Sequence, residues 1–172
     1  QRNEIHDGTY PEPRGFHVGA RPGPGELNTL EFVRFASLGD TVDFGDKIHG
    51  INGGNYNQGA FASITRGFIY GGRYPGSPSA FNNCIEFITM STLGNGVLFG
   101  DLPISGDARA GRLGCSSVTR GVTAGGGGSP AKDNSINYVN IATFGDAVDF
   151  GDLTTTSTQY GAGCSNGHGG LG

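Results

Sequence analysis

The chain repeats itself three times, at intervals of about 52 residues, and this repetition constrains its fold more than any other feature. The most regular part of the repeat holds an apolar stretch, a glycine turn and a Phe-Gly-Asp motif. It aligns without gaps over residues 30–46, 85–101 and 136–152. A second block, Arg-Gly followed by an apolar residue and a glycine-rich stretch, begins at Arg14, Arg66 and Arg120. Such a period is typical of a small unit that stacks on copies of itself.

Each unit is predicted to contain four short strands, because no window shows a helical period. In the second strand of the middle unit, Ile85 and Phe87 point to one face. Ile88 points to the other face, and apolar residues on both faces predict a strand buried between two layers. The fourth predicted strand of a unit is the serine-rich block at 115–117, which matches residues 164–166 and, more loosely, 62–64.

An all-β architecture of blade-like sheets follows from four strands per unit, as in a β-propeller. We expect an extended N-terminal arm at residues 1–13 and a β domain at 14–172, with units at 14–65, 66–119 and 120–172. Three blades do not close a propeller, so either two chains share a six-bladed ring or the chain is a segment of a longer array. A closed threefold β-trefoil or β-prism and an open stacked array remain as alternatives.

Composition and charge exclude several classes of function. Glycine makes up 34 of 172 residues, about three times its usual ~7% share. The formal net charge of −4 offers no basic face for nucleic acid. No apolar run approaches the ~18 residues of a membrane helix, so we expect no membrane insertion. The odd cysteine count, with Cys84, Cys115 and Cys164, predicts free thiols.

No cofactor, metal site or catalytic residue is predicted, and the chain is expected not to be an enzyme. The four histidines lack the spacing of metal ligands, and no nucleophile motif is present. The recurring charged residues are predicted to form structural pairs, because a guanidinium can clamp a carboxylate or loop carbonyls. These are Arg14, Arg66 and Arg120 with Asp46, Asp101 and Asp152.

Candidate ligand-binding residues lie where the units depart from the repeat, since loops on a repeated frame carry recognition. One loop is rich in amides and holds one aromatic ring, at Asn55, Tyr56, Asn57 and Gln58. The other is a three-residue insertion in the middle unit around Arg73 and Tyr74. Amides offer paired donors and acceptors, and a ring stacks on the apolar face of a sugar. These loops would contact a saccharide or a protein partner.

The repeat resembles the kelch-like glycine-rich repeats of cyanophage tail-fibre-like and virion structural proteins. The resemblance rests on Ile-Glu-Phe-Ile-Thr with Phe-Gly-Asp-Leu, and on Cys-Ser-Ser-Val-Thr-Arg-Gly-Val with its glycine run; it extends over about residues 14–166. It implies a non-enzymatic virion fibre or other extracellular structural protein, which acts by self-association and multivalent display and binds other virion proteins. A carbohydrate-binding adhesin for host attachment and a polysaccharide-degrading enzyme are the alternatives.

The outer units lack an evident polar cap, although stacked repeats need covered ends. Phe32, Phe35, Tyr138 and Ile141 should therefore be covered by other parts of the chain or by another subunit. The arm at 1–13 is expected either to pair with a neighbouring subunit's open edge or to be disordered. We expect a homo-oligomer or fibre, or a chain that closes on itself.

Overall fold

The structure is a computed structural model that describes residues 14–18, 28–48, 57–73, 82–103, 110–127, 133–155 and 160–166. Within these ranges there are eleven strands and no helix, so the all-β prediction is confirmed. The strands are β1 (Arg14–Val18), β2 (Thr29–Arg34), β3 (Val42–Asp46), β4 (Gly59–Ala62), β5 (Arg66–Tyr70), β6 (Cys84–Thr89), β7 (Val97–Asp101), β8 (Leu113–Ser116), β9 (Arg120–Ala124), β10 (Ser135–Asn140) and β11 (Val148–Asp152).

The strands form three separate antiparallel sheets in chain order. The first sheet is β1-β2-β3, the second is β4-β5-β6-β7 and the third is β8-β9-β10-β11. Neighbouring strands within each sheet are consecutive in sequence, which is the meander expected of a blade. The described strands do not close into a barrel, so the blade-like prediction describes the fold and a closed β-trefoil barrel does not.

The serine-rich strand belongs to the next sheet, and its predicted assignment to the preceding unit is wrong. β4 pairs with β5 and β8 pairs with β9. The expected unit limits at 65/66 and 119/120 therefore fall at the tips of these hairpins. Each tip is closed by a serine hydroxyl: Ser63 Oγ accepts from the Arg66 N–H at 3.0 Å, and Ser117 Oγ accepts from the Arg120 N–H at 3.1 Å. A serine turn of this kind fixes a tight local connection.

Apolar side chains fill both junctions between sheets. Leu30, Phe32 and Phe44 of the first sheet pack against Ile69 and Ile88 of the second. A larger cluster joins the second and third sheets; it contains Phe61, Phe68, Tyr70, Ile85, Phe87, Phe99, Leu102, Val139, Ile141 and Ala147. β6 contributes to both clusters, so the prediction that this strand is buried on two faces is confirmed.

We call the last strand of each sheet its outer strand. Hydrogen bonds join the outer strand of one sheet to the turn before the outer strand of the following sheet, and they hold the two sheets together. At the first junction, Gly94 N–H donates to the Phe44 carbonyl at 2.9 Å and Gly96 N–H donates to the Asp46 carbonyl at 2.8 Å. The side chain of Asn95 accepts from the Asp46 N–H at 2.9 Å. We call this set of three the turn bonds.

The second junction repeats the turn bonds. Gly145 N–H donates to the Phe99 carbonyl at 3.1 Å, and Ala147 N–H donates to the Asp101 carbonyl at 2.8 Å. Asp146 Oδ1 accepts from the Asp101 N–H at 2.9 Å. The glycine of Phe-Gly-Asp permits this approach: a Cβ built at Gly100 would clash with the Gly145 carbonyl, and one at Gly45 would lie 2.5 Å from the Gly94 oxygen.

Substitution Gly100→Ala should destabilise the chain. Its methyl group would meet backbone atoms of the next turn, which cannot rotate away, and overpacking of this kind costs about 1–3 kcal/mol or more. Denaturant unfolding measures the change. Leu98→Ala, at an exposed position of the same strand, is the control and should shift the midpoint little. Equal stability of Gly100→Ala and the wild type would contradict the close contact.

Candidate functional site

The two candidate loops begin at the same end of the second sheet. In the β4–β5 hairpin Gly59 is paired with Tyr70, so Gln58 just before β4 and Arg73 just after β5 lie at this end. We call it the loop end; the serine turns lie at the opposite end, which we call the turn end, and the turn bonds reach the Asp46 and Asp101 ends of β3 and β7. The other candidates, Asn55, Tyr56 and Tyr74, lie outside the described residues.

The described loop residues anchor the frame. Asn57 has a left-handed backbone with φ of 58°, and its carbonyl accepts from the Gly111 N–H at 2.7 Å. Gln58 Oε1 accepts from Lys47 Nζ at 2.8 Å. Arg73 is half-buried. Asn57 therefore ties its loop to the start of the third sheet, and Gln58 ties it to the first.

A buried ionic group lies beneath the first of these loops. Lys47, which follows β3, is 2% exposed, and Glu86 of β6 is also 2% exposed. Glu86 Oε2 accepts from the Ile48 N–H at 2.7 Å. Burial raises the pKa of Glu86, while the Ile48 hydrogen bond and the Lys47 charge lower it by less. The carboxyl therefore joins the first two sheets and is held in the neutral form to a higher pH than usual.

A second buried polar cluster supports the loop end between the second and third sheets. Arg112, which precedes β8, forms an ion pair with Asp133 at 3.2 Å. Its Nε donates to Thr123 Oγ1 at 2.8 Å, and its Nη2 donates to Asn137 Oδ1 at 2.7 Å. Because the guanidinium and its partners are buried together, removal of one partner would leave an uncompensated polar group. Burial also raises the pKa of the nearby Tyr70 phenol, which stays neutral.

These buried groups were not among the predicted site residues, although the repeat contained a signal for them. Lys47 stands where the later units have Leu102 and Leu153. Glu86 stands where the third unit has Asn137. Lys47 is therefore a departure from the repeat, whereas Glu86 keeps the glutamate that the first unit has at Glu31. Their burial depends on the neighbouring sheet, which the sequence pattern does not place.

The repeated arginines bind the next sheet through its backbone. Arg14 stacks over the Phe32 ring at 4.7 Å, and its Nη1 donates to the Met90 carbonyl at 3.2 Å. Arg66 makes the same pair of contacts, over Phe87 at 4.7 Å and to the Ile141 carbonyl at 2.7 Å. A cation over an aromatic ring contributes about 0.5–1 kcal/mol at a partly exposed site. Loop carbonyls were one of the two predicted kinds of partner.

The aspartates are not partners of the arginines. In the second sheet, Arg66 pairs in register with Thr89 at one end of β6, whereas Asp101 pairs with Cys84 at the other. Five residue steps of about 3.3 Å separate these ends, which is too far for an ion pair. Asp46 and Asp101 instead donate backbone N–H groups in the turn bonds. In the third sheet, Arg120 stacks on Tyr138 at 4.9 Å, and Asp152 lies at the opposite end of the sheet.

Open grooves lie along the sheet edges of the described structure. One, of about 560 Å³, is formed by β4, β8 and residues 163–165, and includes Cys115 and Cys164. Another, of about 700 Å³, lies at the turn end between the second and third sheets. None of the three cysteines forms a disulfide, and burial together with the Asp101 charge raises the pKa of Cys84 to about 11. Cys84 is therefore a protonated, weakly reactive thiol at neutral pH.

The described ranges contain no cluster of three or more metal-ligating His, Cys, Asp or Glu residues. They also contain no helix with the length and apolar character needed to span a bilayer. No protein-family model matches the chain, and no curated protein matches it.

The buried Glu86 should make stability depend on pH. Its folded-state pKa is raised above the usual 4.5, so the stability it contributes is present at low pH and is lost as pH rises through the raised value. Glu86→Gln keeps an oxygen for the Ile48 N–H and does not titrate. Relative to wild type, its melting temperature should increase as pH rises from 4.5 to 8.

Thermal unfolding over that range measures this difference. Leu98→Ala, at the exposed position paired with Glu86 and without a titratable group, is the control and should keep the pH dependence of the wild type. A constant difference between Glu86→Gln and wild type at every pH would contradict the assignment.

Proposed function

We propose that this chain is a non-enzymatic structural β-repeat protein that acts by self-association and by multivalent display of its loops. The observation that carries the proposal is the recurrence of one inter-sheet interface. The turn bonds and the arginine contacts at the first junction recur at the second with the same atoms of the repeat. A protein that already joins its units by one repeatable contact can add further units by the same contact.

Display follows from the placement of the loops that depart from the repeat. The backbone contacts that join the sheets recur at both junctions, whereas these loops are attached at the loop end, above buried polar groups that fix their bases. The repeated contacts would therefore serve assembly, and the variable loops would serve recognition. The resemblance to tail-fibre-like repeats favours a virion or other extracellular fibre as the location.

Light scattering on the purified chain tests self-association. The proposal expects a mass above the 17.7 kDa of one chain, with a concentration-dependent fraction of larger species. A mass of two chains would indicate a closed ring of six sheets, and a continuous series would indicate a fibre. A single species of 17.7 kDa at all concentrations up to the millimolar range would overturn the proposal.

A second candidate function is carbohydrate binding at the loop end. It is favoured by the placement of Gln58 and Arg73, which brings the bases of the amide-rich loop and the inserted loop to one end of the second sheet. Amide groups and aromatic rings presented together form the usual chemistry of a sugar site. Multivalent display would increase the apparent affinity of such a site for a glycan surface.

A glycan array tests this second function. Binding that falls at least about fivefold in Tyr56→Ala and in Tyr74→Ala would support it, because each stacked ring contributes about 1 kcal/mol or more. Tyr160→Ala, which removes an exposed ring outside both loops, is the control and should bind as wild type does. An array with no bound glycan would leave the structural role as the proposed function and remove the adhesin.

A further inference from the structure

We infer that two copies of this chain join head to tail, with residues 162–165 of one copy added as a strand to the open edge of β1 in the next. The first sheet of the second copy then stacks on the third sheet of the first copy. This inference rests on the proposed self-association and names its interface. Three independent features of the described residues support it.

The first feature is that residues 163–165 continue the row formed by β4 and β8. These two strands begin the second and third sheets, and we call them inner strands. Ser116 Oγ of β8 donates to the Ala62 carbonyl of β4 at 2.6 Å, and Ser165 Oγ donates in the same way to the Ser116 carbonyl. A Cβ at Gly114 would lie 2.7 Å from the Ala60 oxygen, and one at Gly163 would lie 2.5 Å from the Gly114 oxygen. Residues 163–165 thus occupy the place of the inner strand of a further sheet, yet they are exposed.

The second feature is that the described part of the first sheet lacks an inner strand. The second and third sheets have four strands, whereas the described part of the first has three. No described strand pairs with the edge of β1 that faces away from β2. A groove of about 260 Å³ lies between this edge and β4, lined by Phe16 and Val18 on one side and Phe61 on the other. The groove is where an inner strand would both pair with β1 and stack on β4. The sequence Gly163-Cys164-Ser165 repeats residues 114–116 of β8, which fill this place in the third sheet.

The third feature is the complementarity of the two end faces. Phe44 and Phe99 are each 3% exposed because a following sheet covers them, but Phe150, at the same repeat position, is 55% exposed. On the first sheet, Phe35 is 71% exposed, whereas its equivalent Ile141 is 5% exposed against the preceding sheet. Each end therefore exposes an apolar residue whose internal equivalent is buried in a junction.

Polar groups at the two ends match in the same way. The turn between β2 and β3 would donate backbone N–H groups to the other copy. It already has the shape of the internal turns, since Gly39 has φ of 151° and its equivalents Gly94 and Gly145 have 152° and 150°. Asp40 would accept from the Asp152 N–H of the other copy, as Asn95 and Asp146 accept within the chain. Arg120 would donate to the Phe35 carbonyl, as Arg14 and Arg66 donate to the Met90 and Ile141 carbonyls.

The register of the added strand follows from the existing hairpins. Phe61 is opposite Phe68 in the second sheet, and Cys115 is opposite Val122 in the third. The equivalent pair across the interface is Cys164 of one copy and Phe16 of the next. Opposed residues of antiparallel strands lie about 4.5–5.5 Å apart at Cα, within the range of a disulfide.

Matched substitutions test the two faces by sedimentation. Phe150→Ala should raise the dissociation constant of self-association at least about 30-fold, as expected for a buried aromatic anchor. Asp40→Ala should raise it about fivefold, and Asp40→Asn should restore it, because Asn95 performs the same task inside the chain. Asp146→Ala, the internal equivalent of Asp40→Ala, should lower the melting temperature and leave the dissociation constant unchanged.

Mixing tests the head-to-tail geometry. Phe150→Ala alters only the exposed face of the third sheet, and Asp40→Ala alters only the exposed face of the first sheet. Every interface in either pure sample therefore carries one change. A mixture of the two contains one unaltered interface and should form heterodimers with the wild-type affinity. An interface between like faces would show no such recovery, and its absence would overturn the inference.

Cross-linking tests the register. Under oxidising conditions Phe16→Cys should yield a covalent dimer through Cys164, and Phe16→Cys combined with Cys164→Ser should not. Val18→Cys with Ala162→Cys is the second probe, for use if loss of the Phe16 ring prevents folding.

The outcomes separate the inference from the proposed function. A chain that stays monomeric contradicts both. A chain that associates, but with no cross-link in either probe and no response to Phe150→Ala or Asp40→Ala, keeps the self-association and overturns this interface. In that case another segment, such as the chain's own residues before β1, fills the groove.

Discussion

Close backbone contact between each outer strand and the turn of the following sheet is the constraint on which the rest of this structure depends. Gly100 brings β7 against the next turn, where a side chain would clash with the Gly145 carbonyl. The approach lets backbone N–H and carbonyl groups pair across the junction instead of facing water or apolar side chains. It also covers the phenylalanine of the same motif. Phe-Gly-Asp is therefore an interface motif in which each residue has one task.

The arginines add a second contact between each sheet and the following one, at the turn end. Because Arg66 stacks over Phe87 and donates to Ile141, one side chain covers an aromatic ring of its own sheet and binds the backbone of the next. A planar guanidinium suits this double role better than a lysine ammonium. The arginine contact fixes the turn end. The loop end is fixed by the turn bonds to Asp46 and Asp101 and by buried polar groups that differ between junctions. The backbone contacts are thus constant and the side chains beneath the loops vary, which is the arrangement that display of loops requires.

The buried polar and ionisable side chains give each junction its own identity. Lys47 and Glu86 lie at the first junction, and Arg112 with Asp133 at the second, so the two interfaces share a backbone pattern but not their polar side chains. A buried ion pair contributes little net stability compared with an apolar pair, because desolvation opposes the Coulomb attraction. The ion pair has a larger effect on a mismatched pairing of sheets, because such a pairing would leave one buried charge without a partner of opposite sign. Such groups favour one order of units over another.

The sequence by itself determined the all-β class, the three units and the strand buried on both faces, because these follow from local periodicity and from the spacing of the repeat. It also located the arginines and the Phe-Gly-Asp motif, but not their partners. Only the tertiary structure decided that the serine-rich strand opens the next sheet, that Arg66 binds a carbonyl rather than Asp101, and that Lys47 and Glu86 are buried. The physical reason is that these contacts join residues of adjacent sheets, where the choice among polar partners depends on stacking geometry. Periodicity reports which face of a strand is covered, and it carries no information about the atoms that cover it.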